Sequence, residues 1–171
     1  MNRADLHRKA ATILLLAGLL LAGSASPARA DLTAFLGVSP TPSNHAVRGF
    51  SGGLSLLVLG FEGEYSNIVG DELEGLPSLK TWSGNVLVQN PIEIAGTTFY
   101  GTIGAGGYRE ALTIGPLTTE ETHVATNLGG GAKITLIGPL RVRFDYRIFK
   151  LQGTPINTVY QRFYVGANLK F

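Results

Sequence analysis

The residues whose types and spacing suggest chemistry are charged, and the densest set lies on one short segment. Over residues 140–148, Arg141, Arg143, Asp145 and Arg147 alternate with Leu140, Val142, Phe144, Tyr146 and Ile148. Period two is the geometry of a strand, whose successive side chains leave opposite faces; a helix would scatter these charges around its axis. The same alternation sets Glu62 and Glu64 against Phe61 and Tyr65, Lys133 against Ile134, and Arg162 against Phe163. If the apolar faces meet an apolar medium outside, all eight charged residues point into an enclosed interior. Charges held there must be paired, and the mixture of acids and bases permits pairing across strands. The chemistry this supports is electrostatic: a sealed ionic core or a narrow polar conduit.

Other chemical signals are weak. His45 and His123 are far apart and lack metal-ligand spacing. No G-x-S-x-G nucleophile motif is present. Gly129, Gly130 and Gly131 match neither a P-loop nor a dinucleotide fingerprint; mid-strand, they read as a site of sheet bending. Asp71, Glu72 and Glu74 form an acidic cluster in an expected loop, read as a solvated tip with at most weak cation binding. The expectation is a protein without catalytic residues, cofactor or metal site, and not an enzyme.

The elements that position these charges begin with an export leader. Arg3, Arg8 and Lys9 precede an apolar run from Ala10 to Ala22, followed by Ala28, Arg29 and Ala30 in the small-x-small order that a signal peptidase requires. The run is shorter than the roughly 20 apolar residues of a membrane-spanning helix. Residues 1–30 are read as a signal peptide cleaved between Ala30 and Asp31. Losing Arg3, Arg8, Lys9 and Arg29 along with Asp5 leaves 10 basic and 11 acidic residues. The precursor's basic balance therefore says nothing about the mature chain, and a nucleic-acid partner is not expected. Cys 0 leaves stability to backbone pairing and packing.

Residues 31–171 carry no twelve-residue stretch of helical period. Period two recurs instead and predicts eight strands, near 31–39, 48–57, 60–68, 79–89, 97–110, 122–136, 140–151 and 159–171. Short connections at Leu57–Gly60, Asn90–Gly96 and Ile137–Pro139 alternate with longer, more polar ones at Pro40–Val47, Val69–Ser78, Ala111–Glu121 and Gln152–Thr158. That alternation is the mark of an all-β, antiparallel up-and-down transmembrane barrel, whose closure removes the sheet edges that lipid would not tolerate. An eight-stranded barrel is about wide enough for side chains to fill, which favours the sealed core. The rival is a soluble, lipocalin-like ligand-binding barrel in the periplasm. Against it, only 15% of residues are charged, where about 25% is usual for soluble domains, and Phe61, Tyr65, Trp82, Phe99, Tyr108, Tyr160 and Phe171 sit near strand ends as interfacial rings would.

The last strand carries a more specific likeness. Residues 164–171, with Gly166, Leu169 and a final Phe171, resemble the terminal strand of bacterial outer-membrane proteins. With the leader and the eight-strand layout, the chain resembles the small OmpA/OmpX-type outer-membrane β-barrel family of Gram-negative bacteria. The resemblance implies location in the outer membrane, contact with its lipid and lipopolysaccharide, and recognition of Gly166, Leu169 and Phe171 by the barrel-assembly machinery. It implies a structural or surface-interaction role with short extracellular loops, with a small lipid-modifying enzyme as an alternative. Oligomeric state does not follow from it.

Overall fold

The structure is a computed structural model and describes residues 29–41, 44–70, 78–114 and 117–171. Most of the leader and the acidic cluster Asp71, Glu72 and Glu74 lie outside the described residues. The described chain forms eight strands: β1 (Arg29–Ser39), β2 (His45–Leu56), β3 (Leu59–Ile68), β4 (Ser78–Gln89), β5 (Thr97–Ile114), β6 (Leu117–Ile137), β7 (Leu140–Leu151) and β8 (Val159–Lys170). Each pairs antiparallel with the next, and β1 pairs with β8 to close the barrel.

The register shows how far the sheet is sheared. The cross-strand row through Arg29, Ser55, Gly60, Leu87, Thr102, Gly129, Arg147 and Arg162 returns to β1 beside Ser39, ten residues from its start. Such a stagger over eight strands tilts them about 40° from the barrel axis. The connections at 57–58, 90–96 and 138–139 gather at the same end as Arg29 and Phe171, whose neighbours close the seam: Ala30 and Phe171 exchange two backbone hydrogen bonds of 2.9 Å.

Two expected boundaries are corrected. β2 starts at His45, so the first loop is shorter than residues 40–47. The span 111–121, expected as a long polar loop, instead continues the β5–β6 ladder through Leu112↔Thr119 and Thr113↔Thr118 to Ile114↔Leu117. Its threonines are β-branched and favour extended backbone, while polar composition alone reads as loop. The ladder of β4 with β5 ends at Ser78↔Ala111 and that of β7 with β6 at Ala125↔Leu151. Beyond those rungs β5 and β6 run on as a two-stranded ribbon.

Burial divides each strand by parity. On β7, Arg141, Arg143, Asp145 and Arg147 are buried and Phe144 and Ile148 exposed; on β8, Arg162, Tyr164 and Asn168 are buried and Phe163, Val165 and Leu169 exposed. The outer wall is a continuous apolar belt, with Leu36 72%, Phe50 62%, Phe61 60% and Ile103 62% exposed. Soluble monomers rarely leave contiguous apolar patches beyond a few hundred Å² in water. A wall of this kind requires lipid, and the soluble-barrel alternative does not hold.

Candidate functional site

The inward parity of the strands brings the charged residues into one column along the lumen. Among the described residues, the buried charged groups are Lys133, Arg141, Arg143, Arg147 and Arg162 against Asp31, Glu62, Glu64, Glu110 and Asp145. The five cations are ion-paired with Asp31, Glu62, Glu64 and Asp145, while Glu110 stands apart at the loop end; such pairing is the condition under which ionised groups persist away from water.

At the turn end, Asp31 Oδ2 accepts from Lys133 Nζ at 2.5 Å and Arg141 Nη2 at 3.2 Å. Arg141 Nε also donates to Asn168 Oδ1 at 2.7 Å, and Asn168 Nδ2 to Thr33 Oγ1 at 2.8 Å. At mid-height the guanidinium of Arg143, fully buried, donates to Glu62, to Asp145 Oδ2 at 3.1 Å and to Tyr100 Oη at 2.7 Å. Tyr100 donates its own proton to Asp145 Oδ2 at 2.5 Å. Arg147 joins the same acids, reaching Glu62 Oε1 at 2.7 Å and Asp145 Oδ1 at 3.0 Å. It also lies 3.2 Å from Glu64 Oε2, in ionic contact but not aligned as a hydrogen bond. One level up, Arg162 donates to Glu64 Oε1 at 2.6 Å and Ser66 Oγ at 2.8 Å.

The network ends against rings. The Arg162 guanidinium sits 4.7 Å from the Phe149 centroid and 5.2 Å from those of Phe35 and Tyr164, a cation–π arrangement. Phe35 and Tyr164 stack at 4.0 Å. Above them Val47, Ile68, Leu79, Tyr108, Ala125, Leu151 and Tyr160 complete an apolar cluster across the loop end of the lumen. Tyr108 donates to the Gln152 carbonyl at 2.7 Å, and Glu110 accepts from the Ile156 amide at 3.1 Å and from Tyr160 at 3.4 Å, tying the 152–158 loop onto this cap. The turn end holds a small vestibule of about 120 Å³ lined by Arg29, Asp31, Asn90, Glu93, Thr98 and Arg141. At its mouth Lys170 Nζ donates to Glu93 Oε1 at 2.8 Å, and this bond holds the Glu93 carboxyl below the usual carboxylate range.

All eight charged residues singled out from the sequence lie in this column. Sequence reasoning missed Asp31 as the partner of Lys133 and Arg141, and missed Tyr100 and Glu110. Asp31 shares parity with Thr33 and Ser39, which was the available signal; nothing local distinguishes Tyr100 from a girdle ring. Gly129 and Gly131 permit close approach both of the β7 backbone and of inward side chains: a Cβ at Gly131 would lie 2.1 Å from the Phe144 carbonyl oxygen and 2.5 Å from Tyr100 Oη, and one at Gly129 2.2 Å from the Tyr146 carbonyl oxygen and 2.7 Å from Arg147 Cγ. Among the described residues, no group of three His, Asp or Glu is placed to hold a metal ion. His45 is buried at the loop end of β2, and the His123 ring lies tilted beside Tyr108, with centroids 6.1 Å apart. Of the terminal-strand residues, Gly166 faces the lumen side, close to Thr33 and Phe35, while Leu169 and Phe171 face outward and are exposed.

Comparison with solved structures gives the same architecture. The chain superposes on Neisserial surface protein A with a TM-score of 0.66 and 13% identity, over 84% of this chain and 96% of that one. The N-terminal β-barrel domain of Pseudomonas aeruginosa OprF matches with a TM-score of 0.65 and 12% identity, over 84% and 97%. A major outer membrane protein from Thermus thermophilus matches with a TM-score of 0.61 and 12% identity, over 85% and 100%. No family model and no curated protein sequence matches the chain. At these identities the likeness concerns the fold, which is that of the small eight-stranded outer-membrane β-barrels.

Proposed function

We propose that this outer-membrane β-barrel is a non-conducting, non-catalytic protein that reinforces the membrane and displays the β5–β6 ribbon at its surface. The observation that carries the reading is the filled lumen: paired charges through its lower and middle levels, then an apolar cap of Tyr108, Phe149, Leu151 and Tyr160. An ion moving along the axis would have to displace buried guanidiniums from their carboxylates and then cross an apolar layer, and both steps are costly. Purified protein in planar bilayers should therefore give no current steps, and regular single-channel steps would overturn the reading. A small lipid-modifying enzyme would require an acid, base or nucleophile grouped at the loop-side rim. Altered lipid A in a deletion strain would revive that alternative.

The proposal includes export by the leader and cleavage between Ala30 and Asp31. Asp31 would then keep its ion pairs to Lys133 and Arg141, while the Ala30–Phe171 pairing would belong to the precursor alone. It also includes insertion by the barrel-assembly machinery through the strand ending in Phe171, an outward ring 65% exposed. Phe171→Ser should slow insertion in cells with little change in the stability of the folded barrel. Unaltered insertion kinetics would remove that role.

A further inference from the structure

The charges of this barrel are sorted by face and by height. On the outer wall, the charged residues whose side chains are described are basic: Arg48 on β2, Lys80 on β4, Arg109 on β5 and Lys150 on β7, all exposed. All four lie toward the loop end of the wall, and its turn-side part carries no charge among the described residues. Three of them share one cross-strand row, because Arg48 pairs with Asn67, Asn67 with Lys80, and Lys80 with Arg109. The next outward row toward the turns is Phe50, Tyr65, Trp82 and Gly107, again in register. Phe50 and Tyr65 lie 5.6 Å apart between ring centroids, and the Trp82 indole covers Gly107.

A row of rings on a membrane wall marks the boundary between acyl chains and headgroups. The cationic row begins one step beyond it, at the depth where lipid phosphates lie. Lys80 and Arg109 stand directly opposite each other, with Cβ atoms about 5 Å apart, and like charges so placed repel. A phosphate between them accepts charge-assisted hydrogen bonds from both and turns the repulsion into attraction. Arg109 also makes a contact within the protein, which a guanidinium with five donors accommodates beside a phosphate. A free anion would gain nothing from Phe50, Tyr65 and Trp82, whereas a lipid phosphate brings acyl chains that lie against them.

We infer that Arg48, Lys80 and Arg109, with Asn67 between them, form a binding site for the phosphate of a phosphorylated lipid in the loop-side leaflet. The inference rests on the transmembrane reading above. The test uses the full chain folded into phosphatidylcholine discs, with retention of diphosphoryl lipid A measured against that of its dephosphorylated form. Wild type should favour the phosphorylated lipid roughly a hundredfold, with about 1 kcal/mol from each of the three cations near the surface. K80Q/R109Q should remove most of the preference, K80Q alone should reduce it about fivefold on the same footing, and K150Q on the far wall should leave it intact. Equal retention of the two lipids by wild type, or a preference undiminished in K80Q and K80Q/R109Q, overturns the site. The heat-modifiable gel shift of a closed barrel is read in parallel. A wild type without that shift overturns the membrane reading itself, and the site with it.

Discussion

The two faces of β7 are built from alternate residues of one strand and obey different rules. Inward, Arg141, Arg143, Asp145 and Arg147 each have named partners within about a hydrogen bond's length. Outward, Val142, Phe144 and Ile148 contribute apolar surface to lipid, which recognises area and polarity but no particular shape. Stability on the inner face is therefore specific to each residue, while on the outer face any apolar side chain of suitable size serves. The ionic column does not by itself show a gain in stability, since buried pairs can be weaker than apolar packing of equal volume. What it creates is mutual dependence: each member left alone is a buried charge.

The largest test of this contrast is Arg147→Leu. It removes the guanidinium shared by Glu62, Glu64 and Asp145, and breaking such a buried set costs about 3–5 kcal/mol. Re-pairing is restricted, because Arg141 is committed to Asp31 and Asn168 and Arg162 to Glu64 and Ser66. Urea unfolding of the barrel from lipid vesicles would measure it, and a loss below 1 kcal/mol would mean that the column tolerates gaps. Phe144→Arg follows at about 2–4 kcal/mol, the cost of a lipid-facing cation near the midplane, while Phe144→Leu should be close to neutral in the same assay. Similar losses for both would contradict the unspecific character of the outer face. Gly131→Val should cost about 1–3 kcal/mol by overfilling the lumen against Tyr100; Gly130→Ala, on the outward parity, should cost less.

The smallest effect concerns the mouth of the lumen. Because Lys170 holds the Glu93 carboxyl below its ordinary range, Glu93 binds protons less readily folded than unfolded. Its contribution is present above the unfolded value, near pH 4, and is lost as pH falls through the folded one. Glu93→Gln should therefore lower stability at pH 7 by under about 1 kcal/mol, as for an exposed pair, and match wild type in acid. A difference that persists well below pH 4 would point to packing as the cause.

Much of the fold is legible in the sequence because strand parity is a local property. Phe144 and Arg143 report opposite faces wherever the strand lies, so strand number and the inward set of charges follow from alternation. The β5–β6 ribbon was illegible for the complementary reason. Beyond Ser78 and Ala125 no third strand among the described residues imposes an apolar face, so Thr113, Thr118 and Thr119 carry no alternation to read. Tyr108 and Tyr160 mislead in another way: placed near strand ends they read as interfacial rings, yet both face inward and are buried in the apolar cap, because position along a strand does not fix the face.

Composition and period alone thus determined an eight-stranded antiparallel barrel, its inward charges and its apolar wall, because each follows from backbone geometry over a few residues. Which charge meets which was decided only by the closed sheet. Glu62 reaches Arg143 and Arg147 across strands far apart in sequence. The stagger that brings them together accumulates from one strand to the next, through the turns and the β6–β7 irregularity between Thr135 and Ile137. The row joining Arg48 to Arg109 depends on the same accumulated register. No segment of sequence encodes that sum, because it exists only once β8 has found β1.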